Sequence, residues 1–271
     1  MIKADLHIHS TVSDGSDTIE QIVKTAKSKG LDFIAITDHD TLSHHGTIRQ
    51  LPANTGVKVM AGIEISAVDP RNNMRAHILG YHIQDRDLIT ALTLPLLKAR
   101  NRNSELQADI LRKHGYELPV DKLSRADGKY LYKQHIMAYL VSSGQASGMF
   151  GEFYYSTFKN KGICAFDIEY IDVFQAVRTI KQAGGKAVLA HSGQQQNFYL
   201  IPKLAECGLD GLELNHHANT GADKAIIRGY ADEYGLFLTG GSDYHGIYEP
   251  QPFGIGDFLA EESGVHALCL A

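Results

Sequence analysis

Short apolar runs that alternate with amphipathic helical segments are the feature that most limits how this chain can fold. Runs rich in Ile, Val, Leu and Phe recur from "ADLHIH" near the start to "LFLTGGSDYH" near the end. Several of them are separated by segments with helical periodicity, such as "IDVFQAVRTIKQAGG". This alternation is typical of repeated βα units. We therefore predict an α/β fold in which parallel strands alternate with helices.

The segment from 85 to 161 interrupts this alternation. Within it, "LTLPLLKARNRNSELQADILRKHG" and "YLYKQHIMAYLVSSG" have the apolar periodicity of helices. At 271 residues the chain is long enough for one large domain with such an insertion. We predict a main domain formed by residues 1–84 and 162–271, with residues 85–161 as a mainly helical insertion.

Residue types that commonly bind metal ions lie at or just after the carboxyl ends of the apolar runs. In a parallel βα barrel these ends meet at one mouth, where active sites are built. A carboxylate inside an apolar run, as in "GIEIS", is costly to bury unless it is paired or bound to metal. An ion pair with a lysine or arginine is the alternative explanation for it. The residues in question are His7, His9, Asp38, His39, Asp40, Glu64, His77, His191, Glu213, Asp243 and His245.

The donor types at these positions indicate the chemistry. His7 and His9 share one face of an extended strand, although such a pair can also lie on an exposed strand without function. Imidazole and carboxylate donors without thiolates suit Zn, Mn or Fe. The widely separated Cys164, Cys207 and Cys269 indicate neither a disulfide framework nor a thiolate site. Because clustered cations stabilise phosphoryl oxygens and activate water, we predict hydrolysis of a phosphate ester.

Charge and hydropathy exclude some classes of partner. A net charge of -5 and a pI near 6.3 argue against a broad basic surface that binds duplex nucleic acid. The sequence has no apolar run long enough to span a bilayer and no apolar signal core near its start. We expect a cytoplasmic protein that acts on a small phosphorylated substrate without a membrane partner. Nothing in the sequence predicts the oligomeric state.

Six sequence features together resemble the PHP family, named for polymerase and histidinol phosphatase domains. They are "DLHIHSTVSDG", "AITDHDT", "GIEIS", the single His77, "AVLAHS" and "GGSDYHG", and the resemblance runs over nearly the whole chain. It implies a distorted (β/α)7 TIM-like barrel with a trinuclear metal centre at its mouth. The length and the insertion resemble stand-alone phosphoesterases such as nucleoside 3',5'-bisphosphate phosphatases and small 5'-to-3' exoribonucleases. In those relatives the insertion caps the metals.

The resemblance also implies which residues bind the ions. The first ion would be held by His7, His9, Glu64 and Asp243, the second by Asp14, His39 and His245, and the third by Glu64, His77 and His191. Some relatives have histidine where this chain has Asp14, which makes Mn²⁺ the favoured ion, with Zn²⁺ or Fe²⁺ as alternatives. We therefore expect two or three divalent ions. Catalytic roles are predicted for Asp14, His39, Glu64, Asp243 and His245, with Asp38 and Asp40 orienting His39.

Two segments of the insertion, "ARNRNSE" and "KQHIMAYLVSSG", resemble the cap of those relatives. The resemblance makes Arg102, Lys133 and His135 candidates for binding a substrate phosphate. Lys133 and Gln134 stand where an Arg-Pro pair is commoner, and a lysine lacks the bidentate fork of arginine. "AHS" likewise replaces the commoner "AHP" after the sixth strand. His216 and His217 match no ligand position and are predicted to be polar residues on the rim.

The predicted reaction is hydrolysis of a phosphate ester in a nucleoside 3',5'-bisphosphate or a 5'-phosphorylated short RNA. The nucleophile is expected to be a hydroxide that bridges the metal ions. Three alternatives remain open from the sequence. They are a phosphatase of another monoester such as histidinol phosphate, a metal-binding domain without turnover, and hydrolysis of an amide or lactone by a related metal centre.

Overall fold

Strands and helices alternate along most of the chain in a computed structural model that describes residues 2–249 and 252–270. The strands of this part are β1 (Ala4–Ile8), β2 (Phe33–Ile36), β3 (Lys58–Ala61), β4 (Ile63–Val68), β5 (Arg75–Tyr81), β6 (Ile171–Asp172), β7 (Lys186–Leu189), β8 (Gly211–Asn215) and β9 (Phe237–Gly240). The helices are α1 (Ile19–Ser28), α2 (His45–Gln50), α3 (Arg86–Lys113), α4 (Lys133–Ser142), α5 (Glu152–Phe158), α6 (Val173–Gln182), α7 (Ser192–Gln195), α8 (Ile201–Glu206), α9 (Gly221–Tyr234) and α10 (Glu262–Cys269). Short 3-10 helices cover Val120–Lys122, Phe198–Leu200 and Gly246–Tyr248.

Local sequence signals determine where the first helix begins and ends. The Thr18 side chain accepts a hydrogen bond from the backbone of Gln21, and the Gln21 side chain accepts one from the backbone of Thr18. This capping box satisfies two backbone donors that would otherwise lack partners. After α1 the chain turns at Gly30, whose φ of 69° lies in the left-handed region that glycine adopts without strain.

The strands form two hydrogen-bonded sheets. One is parallel with the order β1-β2-β3, and the other has the order β6-β4-β5-β7-β8-β9. The predicted α/β class is therefore confirmed, but these sheets are not closed into a single barrel. Isolated parallel bridges join Ile8 to Tyr244 and His39 to Glu64, at the places where the two sheets approach each other.

One strand runs against the predicted parallel pattern. β5 pairs antiparallel with both of its neighbours, β4 and β7. The cause is the connection between β4 and β5, where the backbone N–H of Asp69 donates to the carbonyl of Met74 at 2.8 Å in a tight turn. Parallel neighbours need a crossover of a dozen or more residues, so this short turn forces a hairpin.

Buried apolar side chains pack between the two sheets and under the helices. One cluster draws on strands of both sheets: Ala4, Leu6, Ala35, Leu79, Tyr81, Val188, Ala190, Val265 and Leu268. The apolar faces of α6, α8 and α9 form another cluster with strands of the larger sheet. Among the helices of the described residues, none is long and apolar enough to cross a membrane.

Residues 85–161, which we name the cap segment, contain α3, α4 and α5 between β5 and β6. Its side chains surround a separate apolar cluster that includes Leu111, Leu131, Ile136 and Leu140. The buried ring of Tyr248, from the connection after β9, joins the same cluster. The cap segment thus has its own apolar core and still packs against the loops at the carboxyl ends of the strands.

Candidate metal centre

The ends of β1, β4 and β9 bring four buried donors together. One ligand atom from each of His7, His9, Glu64 and Asp243 lies within 4.8 Å of the others. Nε2 of His7 is 3.3 Å from Oε2 of Glu64 and 3.2 Å from Oδ1 of Asp243. This is the group of residues predicted for the first ion.

A second group shares His9 with the first. Donor atoms of His9, Asp14, His39 and His245 also lie within 4.8 Å of one another. Asp14 comes from the loop between β1 and α1, His39 follows β2, and His245 follows β9. Nε2 of His245 is 3.6 Å from Oδ1 of Asp14. The three residues predicted for the second ion are therefore neighbours.

A third group adjoins the other side of Glu64. Donor atoms of His39, Glu64 and His77 lie within 4.8 Å of one another, with His77 Nδ1 only 2.7 Å from Glu64 Oε1. Nε2 of His191 is 2.9 Å from the same oxygen. The structure thus brings all of the predicted metal-binding residues into one cluster. We name it the donor cluster: His7, His9, Asp14, His39, Glu64, His77, His191, Asp243 and His245.

The electrostatics of the donor cluster fit divalent cations. Burial opposes ionisation of Glu64, but the imidazoles of His39, His77 and His7 outweigh it and hold the pKa of Glu64 well below its usual value. Oδ1 of Asp14 and Oδ1 of Asp243 are buried and accept no hydrogen bond from the described residues. Buried polar atoms are normally paired, so these oxygens are suited to a cation.

Three residues at the donor cluster have left-handed backbone conformations. The φ angles of Asp40, His191 and Asp243 are 59°, 26° and 51°. Such angles are strained for residues other than glycine and persist only where the surrounding structure holds them. Each of these residues lies within four positions of the end of a strand. The turn that it forms therefore sets the direction of the donor side chains that follow that strand.

Asp38 and Asp40, predicted to orient His39, bind the surroundings of the donor cluster instead. Asp38 accepts hydrogen bonds from Ser13 Oγ at 2.6 Å and from the backbone and hydroxyl of Ser10, both at 2.8 Å. These bonds hold the loop that carries Asp14. Asp40 accepts from the backbone N–H of Ser66 at 2.8 Å, which ties the turn after β2 to β4.

A cavity of about 120 Å³, here the cap pocket, lies among side chains of the cap segment and of residues 167–170, next to the start of α4. Gln134 Nε2 donates to Asp14 Oδ2 at 2.8 Å, and the Tyr132 hydroxyl donates to the carbonyl of His39 at 3.2 Å. The start of α4 is therefore fixed to the donor cluster. The lining residues are Arg100, Asn103, Ser104, Tyr132, Lys133, Gln134, Met137, Met149, Phe150, Tyr154, Asp167, Ile168 and Tyr170.

Lys133 is the predicted phosphate-binding residue that lines the cap pocket. Burial lowers the pKa of its ammonium group to about 8. Asp167 opposes this shift, whereas Lys159, Arg100 and Arg75 add to it. The carboxylate of Asp167 is itself paired with Arg75 at 2.5 Å. The wall of the cap pocket therefore carries more positive charge than Asp167, the carboxylate in that wall, can neutralise.

The other two predicted phosphate-binding residues do not line the cap pocket. Arg102 is exposed on α3. His135 is buried, and its Nδ1 accepts from the backbone N–H of Tyr132 at 3.1 Å, so it caps α4. Burial also lowers the pKa of His135 to about 4. Arg100 lines the pocket instead, and its Nη2 donates to Asp40 Oδ2 at 2.7 Å and Ser66 Oγ at 2.8 Å.

The prediction of a polar rim position for His216 is wrong. His216 is 1% exposed, and its Nε2 is 3.4 Å from Asp243 Oδ2. The loop after β8 folds back over the donor cluster and buries the ring. His217 is half-buried, with its ring stacked on Phe253 at 4.5 Å between centroids.

Comparison with known proteins identifies the family. A family model described as the PHP domain matches residues 5–187. The chain belongs to the PHP domain family. This PHP chain is 44% identical over 252 residues to a phosphoribosyl 1,2-cyclic phosphate 1,2-diphosphodiesterase of Eggerthella lenta, covering 92% of the chain and 96% of the relative. It is 29% identical to the 5'-3' exoribonuclease Rnm of Escherichia coli, covering 89% of the chain and 84% of the relative.

A solved structure extends the PHP likeness to the fold. A protein assigned as a metal-dependent phosphoesterase of Bifidobacterium adolescentis superposes with a TM-score of 0.89 at 25% sequence identity. The superposition covers 99% of this chain and 96% of that protein. These findings confirm the predicted PHP family and the predicted class of enzyme, a hydrolase of phosphate esters.

Proposed function

We propose that the protein is a metal-dependent phosphoesterase that hydrolyses a phosphate ester of a small ribosyl phosphate or nucleotide. The observation that carries this proposal is the surroundings of Glu64. Its carboxylate contacts five imidazoles at 2.7–3.3 Å, those of His7, His9, His39, His77 and His191. A buried carboxylate shared by several imidazole groups suits more than one divalent ion.

Residues of the donor cluster would hold two or three ions in the arrangement predicted from the sequence. Glu64 would lie between the first and third positions, and Asp14 and Asp243 would place anionic oxygens at the second and first. These carboxylate oxygens favour Mn²⁺, with Zn²⁺ and Fe²⁺ as alternatives. Ions bound there supply positive charge for the phosphoryl oxygens and lower the pKa of a water. The buried walls of the cluster hold its donors in fixed positions.

The cap pocket supports a substrate with an anionic group beyond the ester that is cleaved. Arg100 is already hydrogen-bonded to Asp40, whereas Lys133 has a surplus of cations around it. A phosphate or similar anion would compensate that charge. The relatives from E. lenta and E. coli are named for substrates that contain ribose phosphate. We therefore favour a phosphorylated ribose, as in a ribosyl cyclic phosphate, a nucleoside 3',5'-bisphosphate or a 5'-phosphorylated RNA end.

We further propose that the nine described strands of the two sheets together form a distorted TIM-like barrel, with the cap segment inserted between residues 84 and 162. The bridges from Ile8 to Tyr244 and from His39 to Glu64 support this arrangement. The apolar cluster shared by strands of both sheets supports it as well. In such a barrel the mouth carries the donor cluster, and the cap segment covers one side of the mouth.

A substrate panel tests the proposed function. The purified protein is loaded separately with Mn²⁺, Zn²⁺ and Fe²⁺. Each form is incubated with phosphoribosyl 1,2-cyclic phosphate, adenosine 3',5'-bisphosphate, a 5'-phosphorylated trinucleotide of RNA, and histidinol phosphate. Products are separated by chromatography, and released phosphate is measured. We expect hydrolysis of at least one ribosyl substrate in a metal-dependent manner, and no more than slow hydrolysis of histidinol phosphate.

Two results would contradict the proposal. If ions bind to the protein but no phosphate ester is hydrolysed with any of them, the phosphoesterase function is refuted. If histidinol phosphate is hydrolysed far faster than every ribosyl substrate, the substrate class is refuted. A lactone included in the same panel separates phosphate chemistry from attack on a carbonyl carbon.

A further inference from the structure

We infer that Glu213 is a positioning residue that fixes two members of the donor cluster, His7 and His191. This inference rests on the proposed metal centre. Strand β8 supplies no residue to any of the three donor groups, yet Glu213 near its end is buried directly behind them. A buried carboxylate at this place requires partners, and its partners are donor residues.

The first partner is the ring of His7. Oε1 of Glu213 lies 3.0 Å from Nδ1 of His7. A carboxylate only accepts hydrogen bonds, so the proton of the neutral imidazole is on Nδ1. The lone pair is then on Nε2, which faces Glu64 at 3.3 Å and Asp243 at 3.2 Å. Glu213 thus selects the tautomer and the ring orientation in which His7 can bind an ion.

The second partner is the backbone of His191. Oε2 of Glu213 accepts from the N–H of His191 at 2.9 Å. His191 has a φ of 26°, a strained angle that needs support from its surroundings. In this conformation its Nε2 reaches Glu64 Oε1 at 2.9 Å. The two oxygens of one carboxylate therefore hold donors proposed for two different ions, the first and the third.

The loop after β8 adds a further contact of the same kind. Nδ1 of His216 accepts from the backbone N–H of Ala218 at 3.1 Å, so its proton is on Nε2. Nε2 of His216 lies 3.4 Å from Oδ2 of Asp243, and its N–H is directed at that oxygen. The end of β8 thus orients His7, His191 and Asp243 without supplying a donor itself. The donors proposed for the second ion, Asp14, His39 and His245, lie outside these contacts.

Glu213→Gln tests the inference because glutamine keeps the size of the side chain but has a single acceptor oxygen. His7 and His191 bond to different oxygens of Glu213, so in glutamine one of them faces the amide NH2 group, which is not an acceptor. Bound Mn²⁺ is measured by titration calorimetry and by elemental analysis after gel filtration, alongside wild type and the exposed control Glu233→Gln. We expect the affinity for two of the ions to fall by about 10- to 100-fold. The remaining ion is retained, and excess Mn²⁺ restores most of kcat.

A measurement on the wild-type protein tests the same geometry without a substitution. Nitrogen-15 NMR of the Zn²⁺-loaded protein reports which ring nitrogen of each histidine carries a proton. We expect the proton of His7 on Nδ1 and the proton of His216 on Nε2. This result remains informative if Glu213→Gln does not fold.

The possible outcomes separate the inference from the proposed function. If the wild-type protein neither binds ions nor hydrolyses phosphate esters, the proposed function fails. If the wild-type protein does both, and Glu213→Gln has the ion affinities of Glu233→Gln, the role of Glu213 is refuted. A proton on Nε2 of His7 in the loaded wild-type protein refutes it as well. An equal loss of all three ions would indicate general damage to the fold and would also overturn it.

Discussion

The donor cluster and the cap pocket lie side by side but are built in opposite ways. The donor cluster consists of histidine and carboxylate side chains from several strands and from the loops that follow strands, and each contacts others of the cluster. The cap pocket is lined mostly by longer side chains of the cap segment, among them Lys133, which has more cations than carboxylates around it. The donors of the cluster are therefore placed mainly by the backbone, whereas the lining of the cap pocket depends on how the helices of the cap segment pack.

Removal of the Glu64 carboxylate is expected to have the largest effect, and this effect should fall on the donor cluster and not on the cap pocket. Glu64→Ala takes away the side chain that contacts five imidazoles, so we expect bound metal and activity to be lost together. If the ions no longer stabilise the transition state, the loss of several kcal/mol lowers kcat/KM by about 10³-fold or more. Elemental analysis and steady-state kinetics measure the two effects. Full turnover by a metal-free Glu64→Ala protein, with Glu233→Ala as control, would contradict the proposed centre.

A substitution in the cap pocket is expected to affect binding and to spare the chemistry. Lys133→Met removes the charge but keeps most of the apolar stem. Loss of a charged hydrogen bond of about 1.5–3 kcal/mol raises KM by roughly 10- to 100-fold with a much smaller change in kcat. Steady-state kinetics and bound-metal analysis are compared with those of Lys129→Met, an exposed lysine of the same segment. If kcat and metal content fall in parallel, the two regions are not separable.

The pH dependence of KM sharpens the same comparison. Burial lowers the pKa of Lys133 to about 8, so its ammonium group is charged below pH 8 and neutral above it. A substrate phosphate remains a dianion throughout this range. We therefore expect KM to rise by roughly tenfold between pH 7 and pH 9 as the cation is lost. In Lys133→Arg, which stays charged, the rise should disappear; an identical rise in that variant would assign it to another group.

A change outside both regions is expected to have the smallest effect. Oδ1 of Asp172 accepts from the backbone N–H of Phe174 at 2.8 Å and caps α6. Asp172→Ala is expected to lower the free energy of unfolding by about 1 kcal/mol. Urea denaturation measures this loss, and Asp172→Ser should recover most of it. A large loss of bound metal in Asp172→Ala would mean that the donor cluster depends on distant parts of the fold.

The donor cluster was predictable from the sequence because strand ends have a defined place in an α/β fold. His7 lies near the carboxyl end of β1 and His39 follows β2, as that rule places them, whereas Glu64 is the second residue of β4, three positions after β3 ends. The antiparallel direction of β5 was not predicted, because a run of apolar residues does not indicate whether a strand is parallel or antiparallel to its neighbours. The turn-forming residues of "DPRNNM", between β4 and β5, were the available signal.

The choice between Arg100 and Arg102 shows what the sequence leaves undetermined. The two arginines are two positions apart on α3, so they point to different faces of the helix. Which face meets the donor cluster depends on how the cap segment packs, and local periodicity does not contain that information. The burial of His216 depends in the same way on the path of the loop after β8.

The pairing of β1 with the end of β9 has a consequence for how the protein acquires its activity. Ser242 donates its backbone N–H to Asp5 across 237 positions of the chain, and Asp243 donates to the carbonyl of His7 at 2.8 Å. At typical rates of translation, β9 follows β1 out of the ribosome by on the order of 10–50 s. Contacts so distant along the chain also slow folding. A nascent chain should therefore stay inert until β9 has emerged, and the first turnover would report the completion of its tertiary structure.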